Sequence, residues 1–329
     1  MKEWMQRTEL LLGSDRIERL RNARVLVVGL GGVGAYAAEA IARAGVGTMT
    51  IADADAVSES NINRQLPALH STVGEPKAEV MARRLLDINP GLRLTVVRRY
   101  IRDEETETLL DEGFDYVVDA IDTLSPKAGL IRSCLERDIP VVSSMGAGAK
   151  TDPTRIRIED IARSHHCPLA HMLRKRLHKM GIRTGFYVVF SDEPVREGSM
   201  MLCEETNKKS NVGTISYMPA VFGCHCASVV IRGLIGEMPP AAFAAETRDN
   251  VRHGEPTSPA GSGPASSNRP PAPEPAETPA STMPMQSMTD RLSDRPYASM
   301  FQNPPNRAAY RFRDRKRQMR NDKKTRSPT

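Results

Sequence analysis

The sequence predicts an α/β fold: a Rossmann-like, doubly wound, mostly parallel sheet with helices on both faces, followed by a disordered C-terminal extension. Three observations predict it. Strand-like and helix-like patterns alternate from residue 24 to residue 144, which demands a parallel sheet with crossover helices. The first apolar run, Val25-Leu-Val-Val-Gly-Leu-Gly-Gly-Val-Gly34, stops in a glycine-rich turn and opens a helix. From Pro239 onward aliphatic residues thin out, and residues 239–305 hold 14 of the chain's 24 prolines.

Taken in order, Arg24–Val28 reads as a strand, Gly32–Ala44 as a helix and Thr48–Ala52 as a second strand. Lys77–Ile88 is helical, with Met81, Leu85 and Ile88 on one face. Leu92–Val97 is strand-like, Glu104–Leu110 helical, Tyr116–Ala120 a strand, Lys127–Arg137 a helix and Pro140–Ser144 a strand. After Lys150 the pattern loosens. Arg155–Ile158 and Phe186–Phe190 look like strands, with the basic helix Leu169–Met180 between them. The run 215–235 is apolar but interrupted by Pro219, Arg232 and small or weakly polar residues. It reads as a buried helix closing the sheet, with membrane association the alternative.

Three regions follow: 1–238 as the ordered domain, 239–305 as a Pro-rich linker and 306–329 as a basic tail. The linker cannot bury enough apolar surface to offset its ordering entropy. The tail carries ten Lys/Arg against two Asp; its +8 exceeds the +6 of the whole chain and leaves −2 for everything before it. The high pI therefore belongs to the tail, which is either a hook for RNA or another polyanion or a solubilising end. Cys134, Cys167, Cys203, Cys224 and Cys226 make an odd count with no CxxC pair, which excludes a secreted disulfide scaffold. Met-Lys-Glu-Trp-Met-Gln-Arg7 has no apolar h-region, so a reducing cytoplasm is expected.

The glycine turn carries the first chemistry. Gly29, Gly31, Gly32 and Gly34 bring bare backbone N–H groups and a helix N-terminus up to phosphate. Asp53, at the end of the second strand, is placed to hold ribose hydroxyls, which suits NAD as well as ATP. The next segment discriminates. Asp53-Ala-Asp55 leads to Asn61-Ile-Asn-Arg64-Gln65, Lys77 begins a helix thirteen residues after Arg64, and Asp119-Ala-Ile-Asp122 ends a later strand. A hydride-transfer site has no use for an Arg, a Lys and a Mg²⁺-binding Asp around the phosphates. An adenylating site does, because attack on the α-phosphate builds negative charge that cations must meet. Taken singly, Arg64 and Lys77 could be surface charges, and Asp122 could cap the helix beginning near Leu124.

Gly29-Leu-Gly-Gly-Val-Gly34, Asn61-Ile-Asn-Arg-Gln65, Pro76-Lys-Ala-Glu79 and Asp119-Ala-Ile-Asp122 resemble the ThiF/MoeB-type adenylating enzymes, relatives of ubiquitin-activating enzyme, over roughly residues 5–236. The Asn-x-Asn-Arg-Gln form, the following Leu-Pro-Ala-Leu-His and the Pro126-Lys127 after Asp122 look closest to the tRNA threonylcarbamoyladenosine dehydratase branch. The resemblance implies an ATP-dependent enzyme with Mg²⁺. Gly31 and Gly34 would admit the phosphates and Asp53 would bind the ribose, with Asp55 beside it. Asn61, Arg64 and Lys77 would contact the phosphates, and Asp122 would coordinate Mg²⁺. Arg7 matches a family arginine that reaches the triphosphate of the neighbouring subunit, which implies a homodimer.

The implied acceptor is the threonyl carboxylate of threonylcarbamoyladenosine beside a tRNA anticodon. RNA contact needs cationic surface, which Arg174, Lys175, Arg176, Lys179 and Arg183 offer. The alternatives are a ubiquitin-like sulfur carrier activated at its C-terminus, with a sulfur-transfer protein as partner, a non-catalytic ATP-binding scaffold, and an NAD dehydrogenase. Sulfur-carrier activators of this kind usually hold a structural zinc on paired CxxC motifs. Neither Cys224-His-Cys226 nor His165-His-Cys167 has that spacing.

Overall fold

In a computed structural model, residues 3–196, 198–205, 208–239 and 241 are described. The basic tail, and the Pro-rich segment apart from Pro239 and Ala241, lie outside these residues. Seven strands carry the framework: β1 (Arg24–Val28), β2 (Thr48–Ala52), β3 (Arg93–Val97), β4 (Tyr116–Asp119), β5 (Val141–Ser144), β6 (Ile156–Asp160) and β7 (Tyr187–Ser191). They form one sheet in the order β3-β2-β1-β4-β5-β7-β6. Every neighbouring pair is parallel except β6 with β7. Val27 lies opposite Ile51 on one side and Val118 on the other, so the middle of the sheet is aliphatic across its width.

The helices are α1 (Gln6–Leu12), α2 (Ser14–Asn22), α3 (Gly34–Arg43), α4 (Lys77–Ile88), α5 (Glu104–Leu110), α6 (Leu124–Glu136), α7 (Pro168–His178) and α8 (Tyr217–Leu234). Val25 and Val27 of β1 face a core shared with Ile41 of α3, Met81 of α4 and Phe222 of α8. Leu26 and Val28 face the opposite core, with Leu109 of α5, Ile131 of α6 and Leu173 of α7. Alternate residues of one strand thus feed two cores, the signature of a sheet covered on both faces. The chain runs outward from β1 through β2 to β3, then returns to the other side of β1 with β4. That reversal opens a crevice beyond the carboxyl ends of β1 and β4.

By length and composition α8 could cross a membrane. Here its Met218, Phe222, Cys226, Val229 and Val230 are buried, and it packs against α3 and β4, β5 and β7. It is the buried helix expected from the sequence. Elsewhere the edges shift. The helix expected from Lys127 starts at Leu124, with Pro126 in its first turn, where a missing N–H forfeits no helical bond. The antiparallel hairpin β8 (Met200–Glu205) and β9 (Lys208–Val212) was not expected. Lys208-Lys-Ser-Asn has no apolar alternation to announce a strand.

Candidate active site

The glycine turn is tight because β4 stands against it. Gly29 donates its N–H to the Ala52 carbonyl at 2.8 Å. Its φ is 90°, and a Cβ there would lie 2.7 Å from the Ala120 carbonyl oxygen. A Cβ on Gly34 would sit 1.8 Å from the Gly29 oxygen. Only glycine at both positions lets the turn close. Gly32 is fixed by packing, since its Cβ would strike Pro219 of α8 at 2.8 Å. At Gly31 the nearest atom to such a Cβ is Gln65 Nε2, at 3.7 Å. Gly31 is thus the glycine of the turn with room in front of it.

Asp53 follows β2 and locks the turn from the other side. Its Oδ2 accepts from the Leu30 N–H at 2.6 Å and its Oδ1 from the Asp55 N–H at 2.8 Å. Burial raises its pKa above the ordinary carboxylate value, opposed by the Leu30 N–H and the charge of Lys77. Lys77 opens α4 and is not a surface charge; its side chain is 7% exposed and its Nζ lies 2.9 Å from Asp55 Oδ2. The Lys77 N–H also donates to the Asp55 carbonyl at 3.0 Å. Tyr100 donates its hydroxyl to Asp55 Oδ1 at 3.1 Å. The charge of Asp55 raises the Tyr100 pKa, with smaller contributions from Asp53 and Asp122.

Asn61 ends a short 3-10 turn, Glu59–Asn61, and is buried. Its Oδ1 accepts from the Ser58 N–H at 3.3 Å, closing a capping box. That turn aims Arg64, whose Nη1 donates to the Ser60 carbonyl at 3.0 Å and to Asn63 Oδ1 at 2.8 Å. Burial lowers the Arg64 pKa and the negative charge of Asp122 opposes the shift. The charges of Arg64 and Asp122 therefore act on one another. Asp122 is not the cap of α6; Thr123 occupies that position. The sequence-predicted Asp53, Asp55, Arg64, Lys77 and Asp122 thus form one electrostatic cluster around the carboxyl ends of β2 and β4. Arg7 lies exposed on α1, and the described hydrogen bonds and ion pairs of this cluster do not include it.

Three contributors, the first of them a pair of residues, were not assigned from the sequence. Lys127 and Asp119 form a fully buried ion pair of 2.8 Å. Asp119 also accepts from Ser143 Oγ at 2.6 Å and from the Ile121 N–H at 3.1 Å. Lys127 Nζ donates to the Ile121 carbonyl at 3.0 Å. The turn that carries Asp122 is thereby held at both ends of one residue. Its signal was a lysine one turn into an otherwise apolar helix face. Gln65 is the second: its Oε1 is buried without a hydrogen-bond partner among the described residues. Tyr100 is the third, and nothing in its local pattern announces it. Among the described residues no group of three or more His, Cys, Asp or Glu is poised for a metal ion.

A family model described as the ThiF family matches residues 5–254. The chain is 48% identical over 193 residues to the tRNA threonylcarbamoyladenosine dehydratase of Bacillus subtilis (strain 168), covering 59% of this chain and 76% of that one. It is 37% identical over 255 residues to the dehydratase of the same name from Escherichia coli (strain K12), covering 71% and 95%. The crystal structure of the E. coli tRNA N6-threonylcarbamoyladenosine dehydratase TcdA in complex with ATP matches with a TM-score of 0.65 at 37% identity, over 75% of this chain and 98% of that one.

Proposed function

The chain belongs to the ThiF family, and we propose that it dehydrates threonylcarbamoyladenosine in tRNA to the cyclic base by ATP-dependent adenylation of the threonyl carboxylate. The observation that carries this reading is the cluster of Arg64, Lys77 and Asp122 beside a glycine turn built for phosphate. The ATP complex of the E. coli relative supports ATP as the nucleotide.

Gly31 admits the phosphates, Gly34 lets the turn close behind them, and Asp53 holds the ribose. Asn61, Arg64 and Lys77 meet the charge that develops when a carboxylate oxygen attacks the α-phosphorus and pyrophosphate leaves. The Lys77–Asp55 pair holds the ammonium in place before the triphosphate arrives. The mixed anhydride activates the carbonyl carbon. A nucleophile of the carbamoyl unit then attacks it, closes the ring and expels AMP with the former carboxylate oxygen. One water equivalent is lost from the base, and no protein nucleophile is consumed.

Magnesium fits this donor set. Mg²⁺ takes one or two carboxylates and completes its shell with substrate phosphates and water, and Asp122 would supply the carboxylate. When bound, the ion supplies charge neutralisation on the phosphates. The enzyme acts in the cytoplasm as a homodimer, with Arg7 extended to the triphosphate of the partner subunit. The exposed Leu10 and Leu11 beside it on α1 support that contact.

AMP release tests the reading in three arms: tRNA bearing threonylcarbamoyladenosine, a ubiquitin-like sulfur carrier, and ATP alone. AMP formed only with the modified tRNA is the expected result. AMP formed only with the carrier assigns the chain to sulfur-carrier activation instead, and ATP binding without AMP in any arm makes it a scaffold.

A further inference from the structure

Residues 163–184 contain Arg163, Arg174, Lys175, Arg176, Lys179 and Arg183, together with four histidines, and no Asp or Glu. A solvated helix face normally intersperses acids with its bases at i,i+4 spacing. This one does not. Ala170, Leu173 and Leu177 turn α7 inward onto the sheet, which leaves Lys175, Arg176, Lys179 and Arg183 exposed. Among the described residues none of these four forms a salt bridge. On β6, which precedes α7 in the chain, Arg157 is by contrast paired with Asp192, as is Arg155 just before the strand. Among the described residues the four exposed cations are therefore uncompensated, in a chain whose charge before the basic tail is close to neutral.

The patch also reaches the nucleotide crevice. Arg176 Nη2 donates to Ser125 Oγ at 3.0 Å. Ser125 is in the first turn of α6, three residues after Asp122. Arg174 braces the other end, donating to the Ser164 carbonyl at 2.6 Å. The basic face thus runs from the surface to the rim of the candidate site.

The geometry points to this face, α7 with the turn to Arg183, as the surface that takes the sugar-phosphate backbone of the substrate tRNA and leads its modified base to the nucleotide. The inference rests on the dehydratase reading above. Phosphate is the ligand that unpaired, acid-free cations recognise, and each contact releases condensed counterions.

The test uses the full chain with Lys175→Gln, Lys179→Gln and Arg183→Gln combined, none of which touches the nucleotide cluster. The probe is tRNA bearing threonylcarbamoyladenosine, titrated at several salt concentrations. The expected result is a Kd about tenfold weaker or more, and a slope of log K against log salt reduced by about 2–3. ATP affinity and kcat at saturating tRNA stay at the parent values. The charge-preserving set Lys175→Arg, Lys179→Arg and Arg183→Lys keeps the parent Kd and slope, which separates charge from misfolding. A parent-like Kd and slope in the glutamine variant overturns the inference, including the case where that variant instead loses an acidic protein partner. If the parent chain itself releases no AMP with modified tRNA, the dehydratase reading fails, and the two failures are told apart.

Discussion

Lys127 and Asp119 meet at 2.8 Å with neither side chain exposed, and the Lys127 ammonium also holds the Ile121 carbonyl one residue before Asp122. A charge pair this deep is a device for position rather than net stability, because desolvation consumes most of its Coulomb energy. Removing one partner strands the other.

Lys127→Ala is therefore expected to destabilise the domain by about 3–5 kcal/mol. Replacing both partners together, Asp119→Leu with Lys127→Met, should cost less than the single change. Urea unfolding of the two variants checks this. The double variant should still lose AMP release, because the turn carrying Asp122 has lost its brace.

Lys77→Ala and Asp122→Ala are each expected to lower AMP release by about 10²-fold or more, the usual cost of removing a group that meets transition-state charge. The fold should survive in Lys77→Ala, since Asp55 is half exposed and water can replace its partner. Single-turnover AMP release and thermal unfolding, measured on the same preparations, separate the two effects.

Two glycines of one turn should respond differently. Gly34→Ala places its methyl 1.8 Å from the Gly29 oxygen, so both stability and ATP affinity should fall. Gly31→Ala meets nothing closer than 3.7 Å. It should leave the melting temperature unchanged while weakening ATP, because its methyl occupies the approach to the phosphates. Thermal melts with and without ATP make the comparison.

Acidification should weaken ATP binding through Asp53. Burial raises its folded pKa, so its contribution to stability is present below the unfolded pKa and lost as pH rises through the folded one. At neutral pH the ionised carboxylate is a cost to the fold, carried because it accepts from Leu30 and Asp55 and offers acceptors to ribose. ATP affinity should therefore begin to fall at a pH above the ordinary Asp range near 3.9, before the domain unfolds. Asp53→Asn should bind ATP more weakly and lose that acid limb. Binding isotherms at stepped pH, with circular dichroism as the fold control, show whether it does.

Much of this architecture was legible in the sequence. β1 and β2 have the bounds read from the sequence, Arg24–Val28 and Thr48–Ala52, and the glycine turn announced the crevice. The residues that act on charge, Arg64, Lys77 and Asp122, were legible because they are polar groups at fixed offsets from that turn. Less legible was what depends on contacts distant in sequence. Lys127 was given no role because its partner, Asp119, is on β4, and Tyr100 acquires a role only when β3 brings it beside Asp55. The β8–β9 hairpin escaped because its strands lack a period of two.

Isotope transfer shows whether the carboxylate itself attacks ATP. The threonyl carboxylate of the tRNA substrate is labelled with ¹⁸O, and the products of one turnover are weighed. Attack of that carboxylate on the α-phosphorus predicts one ¹⁸O in AMP and none in pyrophosphate. Label in inorganic phosphate, or AMP released without it, would contradict adenylation by Arg64, Lys77 and Asp122.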